Sequence, residues 1–235
     1  MYGLPTNHPL ARMESIYLTG GAGEAPGSGR ATIRAQGNLK NTMTNRTAYV
    51  FLFDGFADWE PASALAELRR TFGFSVKSVG IRPEPIVSMG GLNVTPDLLL
   101  SEIQPGCVDI LILPGGDAWM TGEIKEITPL VQAVCEAGHA VAGICAATLA
   151  LAHAGLLNER LHTSNGEGFI QKHVQDYRGA PLYRKVRAVS DGGVITANGL
   201  APFAFAAEIF RRVAPDCEKD IAAYETLYSR GLLDD

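Results

Sequence analysis

Short apolar runs alternate along this chain with longer segments of helical period, beginning near Thr47. The runs 48–53, 108–113 and 140–144 have the length of a strand and contain few polar residues. Continuous apolar runs of this kind are typical of parallel strands that are covered on both faces. Because helical segments separate them, the pattern predicts βαβ units around a mostly parallel sheet, and therefore a three-layer α/β/α sandwich.

The remaining elements are predicted from turn residues and from the spacing of apolar positions. A further strand is expected at 74–79, and Gly90-Gly91 and Asp191-Gly192-Gly193 have the composition of hairpin turns. Proline is favourable in the first turn of a helix, so Pro61 is expected near the start of the first helix. Further helices are predicted over 127–137, 146–154, 166–174, 202–213 and 220–232.

The first part of the chain differs from the rest. Residues 1–42 are rich in glycine and show neither a helical nor a strand period. We predict a flexible leader over 1–42 and one folded domain over 43–235. A weak targeting peptide is an alternative, although its glutamates count against it, and the functional chain could instead begin near Met43.

Composition and charge narrow the class of protein. With 235 residues, 46% of them hydrophobic, the chain can bury a substantial core. Its 20 basic and 25 acidic residues leave no positive surplus for nucleic acid, and no apolar run reaches the roughly 20 residues of a membrane helix. The cysteines form no C-x-x-C pair, so we expect reduced thiols and a cytoplasmic protein, with neither nucleic acid nor membrane as a partner.

The segment 141–148 has the pattern of a nucleophile elbow. A buried strand leads into a turn of small residues with Cys145 at its apex, and a helix follows at once. The helix N-terminus is expected to lower the pKa of the Cys145 thiol from about 8.5. Because Cys107, Cys135 and Cys217 lack this context, we interpret them as structural.

A nucleophilic cysteine needs hydrogen-bond donors for the oxyanion that develops on its substrate. Gly115 and Gly116 end a neighbouring strand, and glycine allows a backbone N–H to approach a ligand closely. The N–H groups of Gly116 and Ala146 are therefore the predicted oxyanion hole. The alternative is that this glycine pair forms an ordinary turn at the end of a strand.

Four motifs appear in order at predicted strand ends: Asp54-Gly55-Phe56, Glu60, Leu113-Pro114-Gly115-Gly116 and Gly143-Ile144-Cys145-Ala146. In these motifs the chain resembles the ThiJ/PfpI family of the class I glutamine amidotransferase-like superfamily, over about residues 47–213. Further motifs, 57–61 and 162–165, are similar to the bacterial branch labelled type 1 glutamine amidotransferase family protein.

The resemblance implies a flavodoxin-like sandwich, a homodimer, and a reactive elbow cysteine in contact with a carboxyl group. Glu60 matches the position of that carboxyl, and a carboxyl between a thiolate and apolar walls is expected to have a raised pKa. Taken by itself, Glu60 beside Pro61 could also be an ordinary carboxylate at a helix start.

The chain departs from many relatives in its histidines. Ala146 follows the cysteine, and Asn165 stands where many relatives have a histidine, so no Cys–His–Glu triad is evident. His162 is a candidate for the same pocket, together with Gly115, Asp117, Trp119 and Asn165. No motif predicts a metal site, a nucleotide site or any other cofactor.

We therefore predict a cysteine-dependent enzyme that acts on a small carbonyl or amide compound by hydrolysis, hydration or deglycation-type chemistry. A non-enzymatic redox or stress sensor that works through oxidation of Cys145 is the first alternative. Glutamine amide transfer and intracellular peptide hydrolysis, which the family labels suggest, are further alternatives. A homodimeric module that binds a ligand without turnover is the last.

Overall fold

The structure is a computed structural model, and it describes residues 46–230. The predicted leader 1–42, the start near Met43 and the last residues of the predicted final helix lie outside this range. Nine strands occur within it: β1 Thr47–Phe51, β2 Ser75–Gly80, β3 Ile86–Val87, β4 Asn93–Val94, β5 Leu98–Leu99, β6 Ile110–Leu113, β7 Ala140–Ile144, β8 Ala188–Asp191 and β9 Val194–Ala197.

Seven of these strands form one sheet in the order β5-β2-β1-β6-β7-β9-β8. All neighbours in this sheet are parallel except β8, which runs antiparallel to β9. The carboxyl ends of β1, β6, β7 and β9 therefore meet at one edge of the sheet. Strands β3 and β4 form a separate antiparallel hairpin, as Gly90-Gly91 predicts.

Seven α-helices lie within residues 46–230: α1 Trp59–Arg70, α2 Ala118–Thr121, α3 Thr128–Glu136, α4 Thr148–His153, α5 Phe169–His173, α6 Pro202–Val213 and α7 Glu218–Arg230. Helices α1, α6 and α7 contribute to one core cluster, and α3, α4 and α5 contribute to another. No helix in the described range is both long enough and apolar enough to span a bilayer.

The central strand β6 shows how the layers form. Ile110 and Ile112 pack with the first group of helices, whereas Leu111 and Leu113 pack with the second group. This alternation follows from the two-residue period of a strand. All four residues are fully buried, so β6 is covered on both faces and the predicted three-layer sandwich is confirmed.

The start of one helix agrees with the prediction, and the start of another differs. Helix α1 begins at Trp59, so Pro61 lies within its first turn, as expected. The helix predicted over 146–154 begins as a 3-10 turn, Cys145–Ala147, and becomes α-helical only at Thr148. This local difference affects the chemistry of the elbow cysteine.

Candidate active site

Cys145 lies at a sharp bend between β7 and α4. Its φ of +60° is the only positive value of a non-glycine residue within 46–230. The left-handed conformation costs such a residue about 1–2 kcal/mol and is often retained at functional sites. A Cβ at Gly143 would lie 3.2 Å from the Ala147 carbonyl oxygen, which explains the small residue there. The chain turns as the elbow pattern predicts and leaves Cys145 half-buried.

Glu60 reaches the same point from the first turn of α1. Its side chain is buried, and Oε2 accepts a hydrogen bond of 2.6 Å from the Gly115 N–H. The carboxyl group also hydrogen-bonds to the Cys145 side chain. The structure thus brings together the two side chains that the resemblance assigns to the site. Glu60 does lie in the first turn of a helix, as the alternative interpretation states. Its carboxyl nevertheless contacts the turn after β6, at Gly115.

The pKa values of Glu60 and Cys145 are both raised above their ordinary values. Burial raises the pKa of Glu60, and the hydrogen bonds from Gly115 and Cys145 offset only part of this effect. Burial also raises the pKa of the Cys145 thiol; the Asn165 hydrogen bond lowers it, and the charge of Glu60 raises it again. Because the Glu60 charge opposes ionisation of the thiol, the two groups titrate as a coupled pair.

The prediction of a lowered thiol pKa is therefore wrong in direction. It relied on the N-terminus of the elbow helix, but α4 begins only at Thr148 and is six residues long. Loss of solvation at the half-buried sulfur and the adjacent carboxylate outweigh the local N–H donors.

Asn165 supplies a third contact to the sulfur. Its Nδ2 donates to Cys145 Sγ over 3.2 Å, and its Oδ1 accepts a hydrogen bond of 3.0 Å from the Gly199 N–H. Because a backbone N–H can only donate here, it fixes the amide oxygen towards Gly199 and the NH₂ group towards the sulfur. Asn165 can therefore stabilise a thiolate, but it cannot act as a base.

Two glycines from neighbouring strand ends enclose the sulfur and the carboxyl group. A Cβ at Gly115 would lie 2.6 Å from Glu60 Oε2 and 2.7 Å from Cys145 Cβ. A Cβ at Gly199 would lie 2.8 Å from Cys145 Sγ. Both positions therefore exclude side chains. Gly199 was missed in the sequence, although its place just after an apolar strand, at the same sheet edge, is a signal that could have identified it.

The N–H groups of the two predicted oxyanion donors, Gly116 and Ala146, differ in their hydrogen bonding. The Ala146 N–H hydrogen-bonds to the Cys145 sulfur, whereas the Gly116 N–H donates no hydrogen bond within the described residues. Gly116 has a φ of +154°, and a Cβ there would lie 2.7 Å from the Phe53 ring, so glycine is required. An oxyanion hole formed by Gly116 and Ala146 stays a prediction.

Trp119 packs into the core, whereas Asp117 is exposed to solvent. The Trp119 ring is buried against Phe51 and Phe53, and its Nε1–H donates to the Pro114 carbonyl over 2.8 Å. A large apolar ring is more stable in the core than in a solvated cleft. From the core, Trp119 supports the turn that contains Pro114 and Gly115. Asp117 is exposed at the start of α2.

His162 is fully buried, and both ring nitrogens have partners other than the sulfur. Nδ1 lies 2.7 Å from the Arg160 carbonyl oxygen and Nε2 lies 2.5 Å from the Tyr177 hydroxyl. Because a carbonyl only accepts, Nδ1 carries the proton and Nε2 accepts from Tyr177. No histidine within 46–230 hydrogen-bonds to the Cys145 sulfur.

Comparison with known proteins agrees with this arrangement of residues. The sequence profile of the DJ-1/PfpI family matches residues 46–212. The uncharacterized protease YoaZ of Bacillus subtilis is 37% identical over 194 residues, which cover 80% of this chain and 90% of that protein. The crystal structure of the DJ-1 superfamily protein Atu0886 from Agrobacterium tumefaciens has a TM-score of 0.71 at 37% identity, covering 78% of this chain and 99% of that one.

Shorter matches connect the chain to relatives with named activities. The glutathione-independent glyoxalase DJR-1.2 of Caenorhabditis elegans is 32% identical over 38% of this chain and 48% of that protein. The deglycase TK1284 of Thermococcus kodakarensis is 32% identical over 47% of this chain and 67% of that protein. With a profile match over most of its length, and with the sandwich and elbow described above, the chain belongs to the DJ-1/PfpI family.

Proposed function

We propose that the chain is a cysteine-dependent enzyme that acts on a small carbonyl compound. Cys145 is the nucleophile, and Glu60 carries the proton. The observation that supports this proposal is the close approach of the buried Glu60 carboxyl and the Cys145 sulfur at the carboxyl edge of the sheet, where a Cβ at Gly115 would lie 2.6 Å from Glu60 Oε2 and 3.1 Å from Cys145 Sγ. Ligands of open α/β sheets bind at this edge.

The pair suits addition to a carbonyl group. The Glu60 carboxylate takes the thiol proton, and the thiolate forms a C–S bond with the carbonyl carbon. The electron pair of the C=O π bond moves to oxygen, which takes the proton back from Glu60 and gives a hemithioacetal. A carboxyl with a raised pKa holds a proton more readily than an ordinary carboxylate, which suits a group that accepts a proton and then returns it. The Gly116 and Ala146 N–H groups are the proposed donors to the oxygen.

The contacts of the sulfur favour a carbonyl substrate over the glutamine amide. Within the described residues, its hydrogen-bonding partners are Glu60, Asn165 and the Ala146 N–H, and none of these is a histidine. Expelling an amine requires a general acid, which a histidine usually supplies in cysteine hydrolases. The names of the glyoxalase and deglycase relatives also support carbonyl chemistry here.

Methylglyoxal consumption by the purified full chain tests the proposal. We expect turnover in the wild type and loss of at least about a hundredfold in Cys145→Ala and Glu60→Gln, the usual scale for removing a nucleophile or a proton carrier. Glu67→Gln is the matched control, since Glu67 is also buried on α1 but bonds to Arg70 and Thr71. Equal activity in all variants would refute the assignment.

Peptide hydrolysis is the second candidate, because the relative YoaZ is named a protease. Gly115 and Gly199 approach the sulfur from two sides, which favours a small substrate over an extended peptide. Release of new amino termini from casein, lost in Cys145→Ala, would favour the peptidase. Selective oxidation of Cys145 by mild peroxide, without turnover of methylglyoxal or glutamine, would favour a redox sensor.

We further propose a cytoplasmic homodimer. The four cysteines are all free thiols in the structure, as expected for a reducing compartment. The dimer rests on the family resemblance, and sedimentation velocity of the purified chain tests it.

A further inference from the structure

Two buried hydroxyl groups lie beneath the elbow, and the proposed chemistry does not use them. Thr148 is fully buried and Ser164 is 2% exposed. The Thr148 Oγ1 lies 2.8 Å from the Cys145 carbonyl oxygen and 2.7 Å from the Ser164 Oγ. Polar groups at this depth cost free energy unless they are paired, so a chain of paired hydroxyls indicates a specific structural requirement.

The number of available protons fixes the direction of these two hydrogen bonds. The Cys145 carbonyl can only accept, so the single hydroxyl proton of Thr148 is donated to it. The Thr148 oxygen must then accept from Ser164, which donates its own proton. The hydrogen bonds therefore run one way, from Ser164 through Thr148 to the carbonyl of the strained residue.

These two hydrogen bonds join the two segments that contact the sulfur. At one end is the Cys145 backbone, whose φ of +60° must be held by its surroundings. At the other end, Ser164 immediately precedes Asn165, whose Nδ2 donates to Sγ. Thr163 is anchored by hydrogen bonds to Thr196 and Val186, whereas Asn165 is exposed. The Ser164 hydroxyl is thus the last buried anchor before Asn165.

We propose that Thr148 and Ser164 are positioning residues that hold the Asn165 amide in register with the Cys145 sulfur. The inference rests on the proposed function only in that it concerns the same thiolate. Removing either hydroxyl loosens the Asn165 donor, and a weaker donor stabilises the thiolate less. The apparent pKa of the Cys145 thiol then rises, while the sulfur and Glu60 remain in place.

Alkylation of Cys145 by iodoacetamide, measured against pH by mass spectrometry of its peptide, tests this inference without a substrate. We expect Thr148→Val and Ser164→Ala to slow alkylation at pH 7 by about threefold to tenfold, the range for weakening one hydrogen bond to a charged group. Thr148→Ser, which keeps the hydroxyl, should restore the wild-type profile. Thr226→Val is the control, because Thr226 also donates to a helix carbonyl, that of Ala222.

A double variant separates positioning from a general loss of packing. If the hydroxyls act through Asn165, adding Ser164→Ala to Asn165→Ala should slow alkylation no further than Asn165→Ala does alone. Multiplicative effects, or unchanged profiles in Thr148→Val and Ser164→Ala, would overturn the inference. If Thr148→Val does not fold, Ser164→Ala and Thr148→Ser still decide the question.

The two proposals fail in distinguishable ways. A shifted alkylation profile with no methylglyoxal turnover in the wild type would leave the positioning role intact and refute the enzyme. Turnover that depends on Cys145, with unchanged alkylation in the hydroxyl variants, would refute the positioning role alone.

Discussion

At the scale of single residues, the proposed chemistry depends on what surrounds one sulfur atom. Asn165 donates a hydrogen bond to it, and the adjacent carboxyl of Glu60 raises its pKa. The first contact favours the thiolate and the second opposes it, so the two side chains should shift the titration of Cys145 in opposite directions.

Asn165→Ala should raise the apparent pKa of the Cys145 thiol by about one unit, since a hydrogen bond to a charged group is worth about 1.5 kcal/mol. The pH profile of alkylation measures this shift. Asn158→Ala is the matched control, because Asn158 Oδ1 accepts from the Arg178 N–H and has no contact with the sulfur. An unchanged profile in Asn165→Ala would show that the amide does not stabilise the thiolate.

Glu60→Gln should have the opposite effect on titration. The Glu60 charge and its hydrogen bond both raise the pKa of the thiol, so the neutral amide should lower that pKa and speed alkylation near pH 7. Turnover should nevertheless fall, because the proton carrier is lost. A variant that is slower in both alkylation and turnover would contradict the coupled pair and indicate a merely structural carboxylate.

At the scale of elements, the site depends on close approach between the turns that follow β6, β7 and β9. Gly115 and Gly199 belong to two of these turns, and Cys145 belongs to the third. A side chain at either glycine would have to displace the sulfur or the Glu60 carboxyl, both of which are held by hydrogen bonds.

Gly115→Ala should therefore lower the free energy of unfolding by about 1–3 kcal/mol, the usual cost of overpacking. It should also abolish turnover, because its Cβ would lie 2.6 Å from Glu60 Oε2. Chemical denaturation and the methylglyoxal assay measure the two effects. Gly106→Ala is the control, as no atom lies within 4 Å of a Cβ there. Wild-type activity in Gly115→Ala would show that the predicted crowding is relieved.

At the scale of the whole molecule, His162 makes stability depend on pH. Burial lowers the pKa of His162, and its neutral form is the one that donates to Arg160 and accepts from Tyr177. The unfolded chain therefore binds a proton more readily than the folded chain. The resulting stabilisation is present above the ordinary histidine pKa of about 6.5, and it is lost as pH falls from there through the lowered folded value.

The free energy of unfolding should thus fall between pH 7.5 and pH 5, with His162 contributing up to about 1.4 kcal/mol per pH unit. His162→Gln should flatten this dependence in urea denaturation curves. His173→Gln is the control, since the His173 ring also hydrogen-bonds to a backbone carbonyl, that of Phe169, but is not fully buried. An equal slope in wild type and His162→Gln would exclude the buried histidine as the cause.

The sequence by itself determined the layers of the sandwich, because buried parallel strands must be apolar on both faces and their pattern is local. It also indicated the bend at Cys145, since small residues between a strand and a helix allow the close approach that a sharp turn requires. The pairing with Glu60 came from the family resemblance, because residue 60 is distant from residue 145 along the chain.

Only the tertiary structure decided what surrounds the sulfur. Thr148 and Ser164 carry no local signal that places them beneath the elbow, and the His162 ring hydrogen-bonds to Arg160 and Tyr177 instead of the sulfur. The tertiary structure also decided the direction in which the pKa of the Cys145 thiol is shifted. A sequence pattern shows which helix begins near a cysteine, but loss of solvation and contact with a carboxylate depend on residues that only folding brings together.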